Sequence, residues 1–135
     1  MRSYRGEDVS EQTVVQKLRI KSGQVFLLLS APQGYRASLG DLPASVTVIT
    51  EPGEPADVIQ CFVTSRAELE DLLPGLKEVL KPRGILWVAY PKTTSRIASD
   101  VNRDVIRAYA PSIGLEAVAL FAVDQDWASL RLKVV

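Results

Sequence analysis

Apolar residues gather along this chain in short, nearly unbroken runs, and the spacing of those runs changes between strand-like and helix-like. Gln24 to Leu29 is continuous and contains a β-branched and an aromatic member, the pattern of a strand buried on both faces. Ile85 to Tyr90 is again apolar throughout, Ser45 to Thr50 reads as a strand rich in Val, Ile and Thr, and Val58 to Val63 and Leu115 to Val123 are also predicted strands. Trp127 to Val134 alternates instead, with Ala128, Leu130, Leu132 and Val134 on one side and Ser129, Arg131 and Lys133 on the other. One face of that last strand therefore reads as solvated, which predicts a sheet edge.

Helical spacing fills the gaps between the runs. Ser10 opens a predicted short helix with Val14, Val15 and Leu18 on one stripe, closed by the turn Lys21-Ser22-Gly23. A second short helix is predicted around Arg36 to Leu39. Ser65 and Glu68 have capping-box spacing, and Leu69, Leu72, Leu73, Leu76 and Leu80 follow at helical intervals. Pro74-Gly75 predicts a kink or split in this helix, and Lys81-Pro82-Arg83-Gly84 its end. Ser99 or Asp100 is the predicted cap of a last helix carrying Val101, Val105, Ile106 and Tyr109 on one face, ending by Pro111 to Gly114.

Strands alternating with helices predict an α/β fold in three layers. A mostly parallel sheet of about six strands lies between helices on both faces, and the last two strands form an antiparallel hairpin across Asp124-Gln125-Asp126. Residues 1–9 read as a loose tail and 10–135 as one domain. In such sheets ligands sit beyond the carboxyl ends of the strands. That edge carries the segments Ser30-Ala31-Pro32-Gln33-Gly34-Tyr35, Thr64-Ser65 and Tyr90 to Ser95.

One connection strains this picture. Only six residues separate Thr50 from Asp57, whereas a parallel crossover needs roughly a dozen. Six extended residues reach roughly 20 Å. Either the strand at 45–50 runs antiparallel or its crossover is unusually taut. The antiparallel course puts Glu51 at the wrong end of the sheet, so Glu51 is left out of the candidate site.

Composition narrows the chemistry. The 135 residues suffice for a single core without a staple. The chain carries 16 basic and 16 acidic residues, so its formal net charge is zero and nothing draws it over distance to nucleic acid or a membrane. There is no His, which removes Ser–His and Cys–His nucleophile pairs and His metal sites. The single Cys, Cys61, sits in an apolar run and reads as a buried, inert thiol. The polar start of the chain lacks an apolar signal core, and no stretch is long enough to span a bilayer, so a cytoplasmic location is expected.

From Ala56 onwards the chain resembles the C-terminal half of class I methyltransferases. Asp57-Val58-Ile59 matches an Asp-led strand, Leu80-Lys81-Pro82-Arg83-Gly84-Ile85-Leu86-Trp87-Val88 a Lys-Pro-Gly-Gly-like turn and buried strand, and Gly114-Leu115-Glu116 the entry to a hairpin. Arg83 stands where that family has its first Gly. The chain also resembles a family of small bacterial proteins to which no activity is assigned. It shares with them Ala31-Pro32-Gln33-Gly34-Tyr35, Trp87-Val88-Ala89-Tyr90-Pro91-Lys92 and Asp124-Gln125-Asp126-Trp127. Both resemblances imply a Rossmann-like domain, and the first implies S-adenosylmethionine as a cofactor. The cofactor loop departs from the methyltransferase pattern: it holds one glycine, Gly34, and Pro32 offers no N–H.

The candidate ligand-binding residues are Ser30, Ala31, Pro32, Gln33, Gly34, Tyr35, Thr64, Ser65, Tyr90 and Lys92. Each has a plainer alternative. Ser30 to Tyr35 also reads as a tight turn, Thr64-Ser65 as a helix cap, and Lys92 as a solvated loop residue rather than an anion or base site. Asp124 and Asp126 read as an acid–base or metal pair or as a hairpin turn, and Trp127 as a core or interface anchor. No catalytic residue and no metal site is assigned. The degenerate loop and absent His point first to a non-catalytic module for a small anionic ligand or protein partner. The alternatives are a methyltransferase with an atypical loop, or a subunit that forms a homodimer through an edge strand.

Overall fold

A computed structural model describes residues 12–135. The tail at 1–9 and the start proposed at Ser10 lie outside those residues. Helix α1 is Val14–Leu18, and its start is set by Thr13: the Thr13 hydroxyl accepts from the Gln16 N–H while the Gln16 side chain accepts from the Thr13 N–H. This reciprocal pair is a capping box, three residues beyond the predicted start. Strand β1 (Val25–Leu29), helix α2 (Tyr35–Ser38), strand β2 (Thr47–Ile49) and strand β3 (Ala56–Phe62) follow. Helix α3 (Arg66–Val79), strand β4 (Leu80–Pro91), helix α4 (Arg103–Tyr109), a 3-10 turn (Ala110–Ile113), strand β5 (Leu115–Ala122) and strand β6 (Trp127–Val134) complete the chain.

The six strands form one sheet in the order β2-β1-β3-β4-β6-β5. The first four are parallel, and β6 runs antiparallel to both β4 and β5. One face of the sheet packs Leu27, Ile59, Val88 and Leu130 against Leu69, Leu73 and Leu76 of α3 and Ile106 of α4. The other packs Phe26, Val58, Phe62, Trp87 and Trp127 against Val15 and Leu18 of α1 and Tyr35 of α2. Three layers with two separate cores are what apolar strands between helices require. No helix among the described residues is long and apolar enough to cross a membrane.

One open alternative is settled and three expectations are corrected. First, β2 is parallel to β1, with Val25 beside Thr47 and Leu27 beside Ile49. The short link works because β2 has only three residues. Ile49 stands level with Leu27 and so with Ile59, three residues above Ala56. The link must descend roughly 10 Å and move sideways two strand spacings, roughly another 10 Å. Extended chain from Ile49 to Ala56 reaches roughly 23 Å. Second, Trp127–Val134 is an inner strand and the edge is β5, where Val118 and Leu120 are 42% and 43% exposed. Ser129 looks like a solvent-facing residue in sequence but is fully buried, because Gln60 supplies its hydrogen-bond partner.

Third, Pro74 does not split α3, which runs unbroken through it. Proline at that position deprives the Glu70 carbonyl of its helical donor, and the Tyr109 hydroxyl points at that carbonyl from α4, 3.4 Å away. Lys81 to Gly84 also belongs to β4 rather than to a terminating turn, as a bulge between the Ala56–Leu80 and Val58–Ile85 pairs. Fourth, α4 starts at Arg103. Its cap is Asn102, which accepts from the Val105 N–H at 2.9 Å. Asp100 instead accepts from the Arg66 N–H at 2.6 Å and helps to cap α3.

Cys61 is fully buried, and burial pushes its thiol up to about 12. An unfolded thiol titrates near 8.5. Below that pH the thiol is protonated in both states and has no effect on the pH dependence of stability. Above it only the unfolded chain loses the proton, so the folded state is disfavoured by about 1.4 kcal/mol per pH unit until the buried thiol itself ionises. Urea titrations between pH 8.5 and 9.5 should show this loss in the wild type and lack it in Cys61→Ala. A thiol reagent added to the native protein at pH 8 should react no faster than the chain unfolds.

Candidate functional site

β1 ends at Leu29, and the chain turns sharply at Ser30, which is held at φ 60°. That left-handed conformation costs a residue with a Cβ about 1 kcal/mol or more. Pro32 then accepts from the Tyr35 N–H at 3.0 Å, and Gly34, at φ 85°, caps α2. A Cβ built on Gly34 meets nothing within 4 Å, so the backbone there faces open space. The Gln33 and Gly34 N–H groups donate to no acceptor among the described residues. Ser30→Gly removes the strain and should raise the unfolding free energy by about 1 kcal/mol, read as a higher urea midpoint at unchanged slope.

An open cleft of about 760 Å³ lies over this loop, in the size range of small-molecule sites. Leu28, Ala31, Ala37 and Val48 give it apolar walls, and Ser30, Pro32 and Gly34 line it from the loop. Its other wall is the end of β2, where Thr50 lines it and the exposed Glu51 comes next in the chain. Val48, Thr50 and Arg36 were not among the residues expected here. Val48 and Thr50 are brought there by the β2–β1 pairing and its parallel direction, which composition and spacing left open, and Arg36 by the first turn of α2.

The other candidates go elsewhere. The Tyr35 ring turns away from that cleft into the core, edge-on to Phe62, and its hydroxyl donates to Gln60 Oε1 at 2.6 Å. Gln60 Nε2 in turn donates to Ser129 Oγ at 3.3 Å. Burial raises the Tyr35 pKa well above its ordinary value, so the phenol stays protonated. Pro32, Gln33, Gly34 and Tyr35 also border a smaller cleft of about 240 Å³ beside Asp124.

Tyr90 and Lys92 sit on the α3–α4 side of the sheet, at the end of β4, in a separate cleft of about 360 Å³ with Thr93, Asn102, Arg103 and Asp104. Burial also raises the Tyr90 phenol, against the opposing pull of Arg103 and Arg107. At neutral pH it is a hydrogen-bonding phenol and not a phenolate. Thr64 and Ser65 are occupied in capping. Ser65 Oγ accepts from the Glu68 N–H at 3.1 Å, and Glu68 Oε1 accepts from the Thr64 N–H at 2.8 Å. The predicted box therefore closes one residue earlier, on Thr64.

Asp124 and Asp126 make the hairpin turn. Asp124 Oδ1 accepts from the N–H groups of Asp126 and Trp127, and Asp126 Oδ1 accepts from Ser95 Oγ. No cluster of three or more metal-ligating side chains occurs among the described residues. Trp127 is 8% exposed and packs edge-on to Phe62 in the core of its own chain. Asp57, which opens β3, accepts from the Val25 N–H at 2.8 Å and from Lys81 Nζ at 3.1 Å. Both bonds lie at the amino end of the parallel strands, away from the ligand edge.

No family model matches the chain, and no curated protein matches it in sequence. Solved structures match its fold. It is similar to an S-adenosylmethionine-dependent methyltransferase from Aquifex aeolicus at a TM-score of 0.62 and 16% identity, over 90% of this chain and 88% of the other. It is similar to DhpI, in a complex with S-adenosylmethionine, at a TM-score of 0.63 and 11% identity, over 90% and 84%. The magnesium protoporphyrin IX methyltransferase of Synechocystis, with S-adenosylhomocysteine bound, matches at 0.60 and 13%, over 89% and 79%. With the strand order and the antiparallel β4-β6-β5 arrangement, these likenesses establish that the chain has the class I methyltransferase fold.

Proposed function

We propose that the cleft over Ser30 to Gly34 binds S-adenosylmethionine, and that the protein is a methyltransferase with an atypical cofactor loop. The observation that carries this is the parallel course of β2, which brings Glu51 to the same edge of the sheet as the loop. The cleft fits the cofactor's chemistry part by part. Apolar walls from Leu28 and Val48 suit the adenine and the thioether carbons. The Gly34 N–H, which donates to no acceptor among the described residues, can hold a carboxylate, and the Glu51 carboxylate can accept from both ribose hydroxyls. When bound, S-adenosylmethionine supplies an electrophilic methyl group on a sulfonium.

One observation favours a second reading, a non-catalytic module. The polar groups at the ligand edge do not converge: Tyr35 is tied to Gln60, while Tyr90 and Lys92 open on the opposite face of the sheet. A thermal-shift titration with S-adenosylhomocysteine, followed by transfer of labelled methyl groups into cell extract, separates the two. We expect ligand at a hundredfold excess over Kd to stabilise the fold by about 2.7 kcal/mol, and label to enter one extract component. A stabilised protein that transfers no label supports the non-catalytic module. No stabilisation at millimolar ligand overturns the methyltransferase reading and leaves the non-catalytic module.

A further inference from the structure

At the end of the sheet opposite this cleft, where β4 begins and β6 finishes, there is a second cleft of about 680 Å³. Lys77, Lys81, Arg83, Arg131 and Lys133 line it, and no carboxylate does. In a chain of zero formal net charge this is a local concentration of positive potential. Two of the five are engaged: Lys81 pairs with Asp57 at 3.1 Å, and Lys77 Nζ donates to the Ile113 carbonyl at 2.9 Å. Arg83, Arg131 and Lys133 close no ion pair among the described residues, although Glu116 stands beside Lys133 across the β5–β6 register.

Two further observations show that this is more than a basic surface. Arg131 Nε is buried and has no hydrogen-bond acceptor among the described residues. A buried donor on a charged group is costly to leave unmatched, so this orphan calls for an acceptor that the described residues do not supply. Arg83 is held at φ 67°, a conformation that glycine adopts without strain. A strained backbone that keeps a long cationic side chain at a cleft mouth is a mark of function. Guanidinium groups match the planar, bidentate geometry of phosphate oxygens better than lysines do.

We propose that this cleft binds a small phosphorylated molecule, with its phosphoryl group received by Arg131 and Arg83 and Lys133 at the rim. The site is independent of the S-adenosylmethionine cleft, so either assignment can fail alone. Inorganic pyrophosphate is the probe, titrated calorimetrically into the full chain at an ionic strength held constant with sodium chloride. Saturable 1:1 binding is expected, weakened about tenfold or more in Arg131→Met and in Arg83→Gly. Arg83→Gly should at the same time melt higher than the wild type, so loss of binding cannot be blamed on misfolding. Arg66→Gln, which removes a cation at the other end of α3, should bind as the wild type does. Non-saturable heats, undiminished binding in both cleft variants, or displacement of pyrophosphate by S-adenosylhomocysteine would overturn the proposal.

Discussion

Gln60→Leu should lower the unfolding free energy by about 3 kcal/mol, a fall in Tm of roughly 10 °C. Gln60 is fully buried in β3 and links two side chains that have no other partner in the core. Leucine fills similar space but neither accepts from the Tyr35 hydroxyl nor donates to Ser129. Each group left unmatched costs about 1–3 kcal/mol. The second half of the test is rescue. Tyr35→Phe introduced together with Gln60→Leu removes the orphaned hydroxyl and should cost much less than it does in the wild type, a coupling readable in a double-mutant cycle. Additive effects would mean that Tyr35 and Gln60 do not act together. Because Tyr35 follows Gly34 directly, the same bond anchors the ligand loop to the sheet.

Glu51→Ala should weaken S-adenosylhomocysteine about fiftyfold, the loss of roughly 2–3 kcal/mol from hydroxyl donors to a carboxylate. Glu51 is exposed and makes no ion pair among the described residues, so the fold should change by less than about 0.5 kcal/mol. Glu51→Gln keeps one acceptor oxygen and should fall between the two. Equal affinity in wild type and Glu51→Ala would remove the ribose contact.

The elements most legible in the sequence were those whose signal is local. Val25–Leu29, and Val58–Phe62 apart from Gln60, are apolar because both faces are covered, and the leucines of α3 record its packing against the sheet. Ser65 and Asn102 cap through bonds that span three residues, yet only the first stood out, because Ser99 and Asp100 offer equally good cap chemistry just before Asn102. What was not legible depends on register and direction. Ser129 has a polar side chain that a distant strand satisfies, and Pro74 survives because a tyrosine from another helix covers the freed carbonyl. The candidate site divides the same way. The loop at Ser30–Gly34 was identifiable from its turn residues. Its opposite wall at Val48–Glu51 was not, because strand direction rested on the unknown length of β2.

Amide chemical-shift mapping with S-adenosylhomocysteine on the isotopically labelled chain tests the ligand assignment directly. The largest saturable shifts should fall at Ser30 to Gly34 and at Val48 to Glu51, with Lys81 to Gly84 undisturbed. Spectra unchanged at millimolar ligand, or shifts confined to residues away from the ends of β1 and β2, would show that this cleft does not take the cofactor.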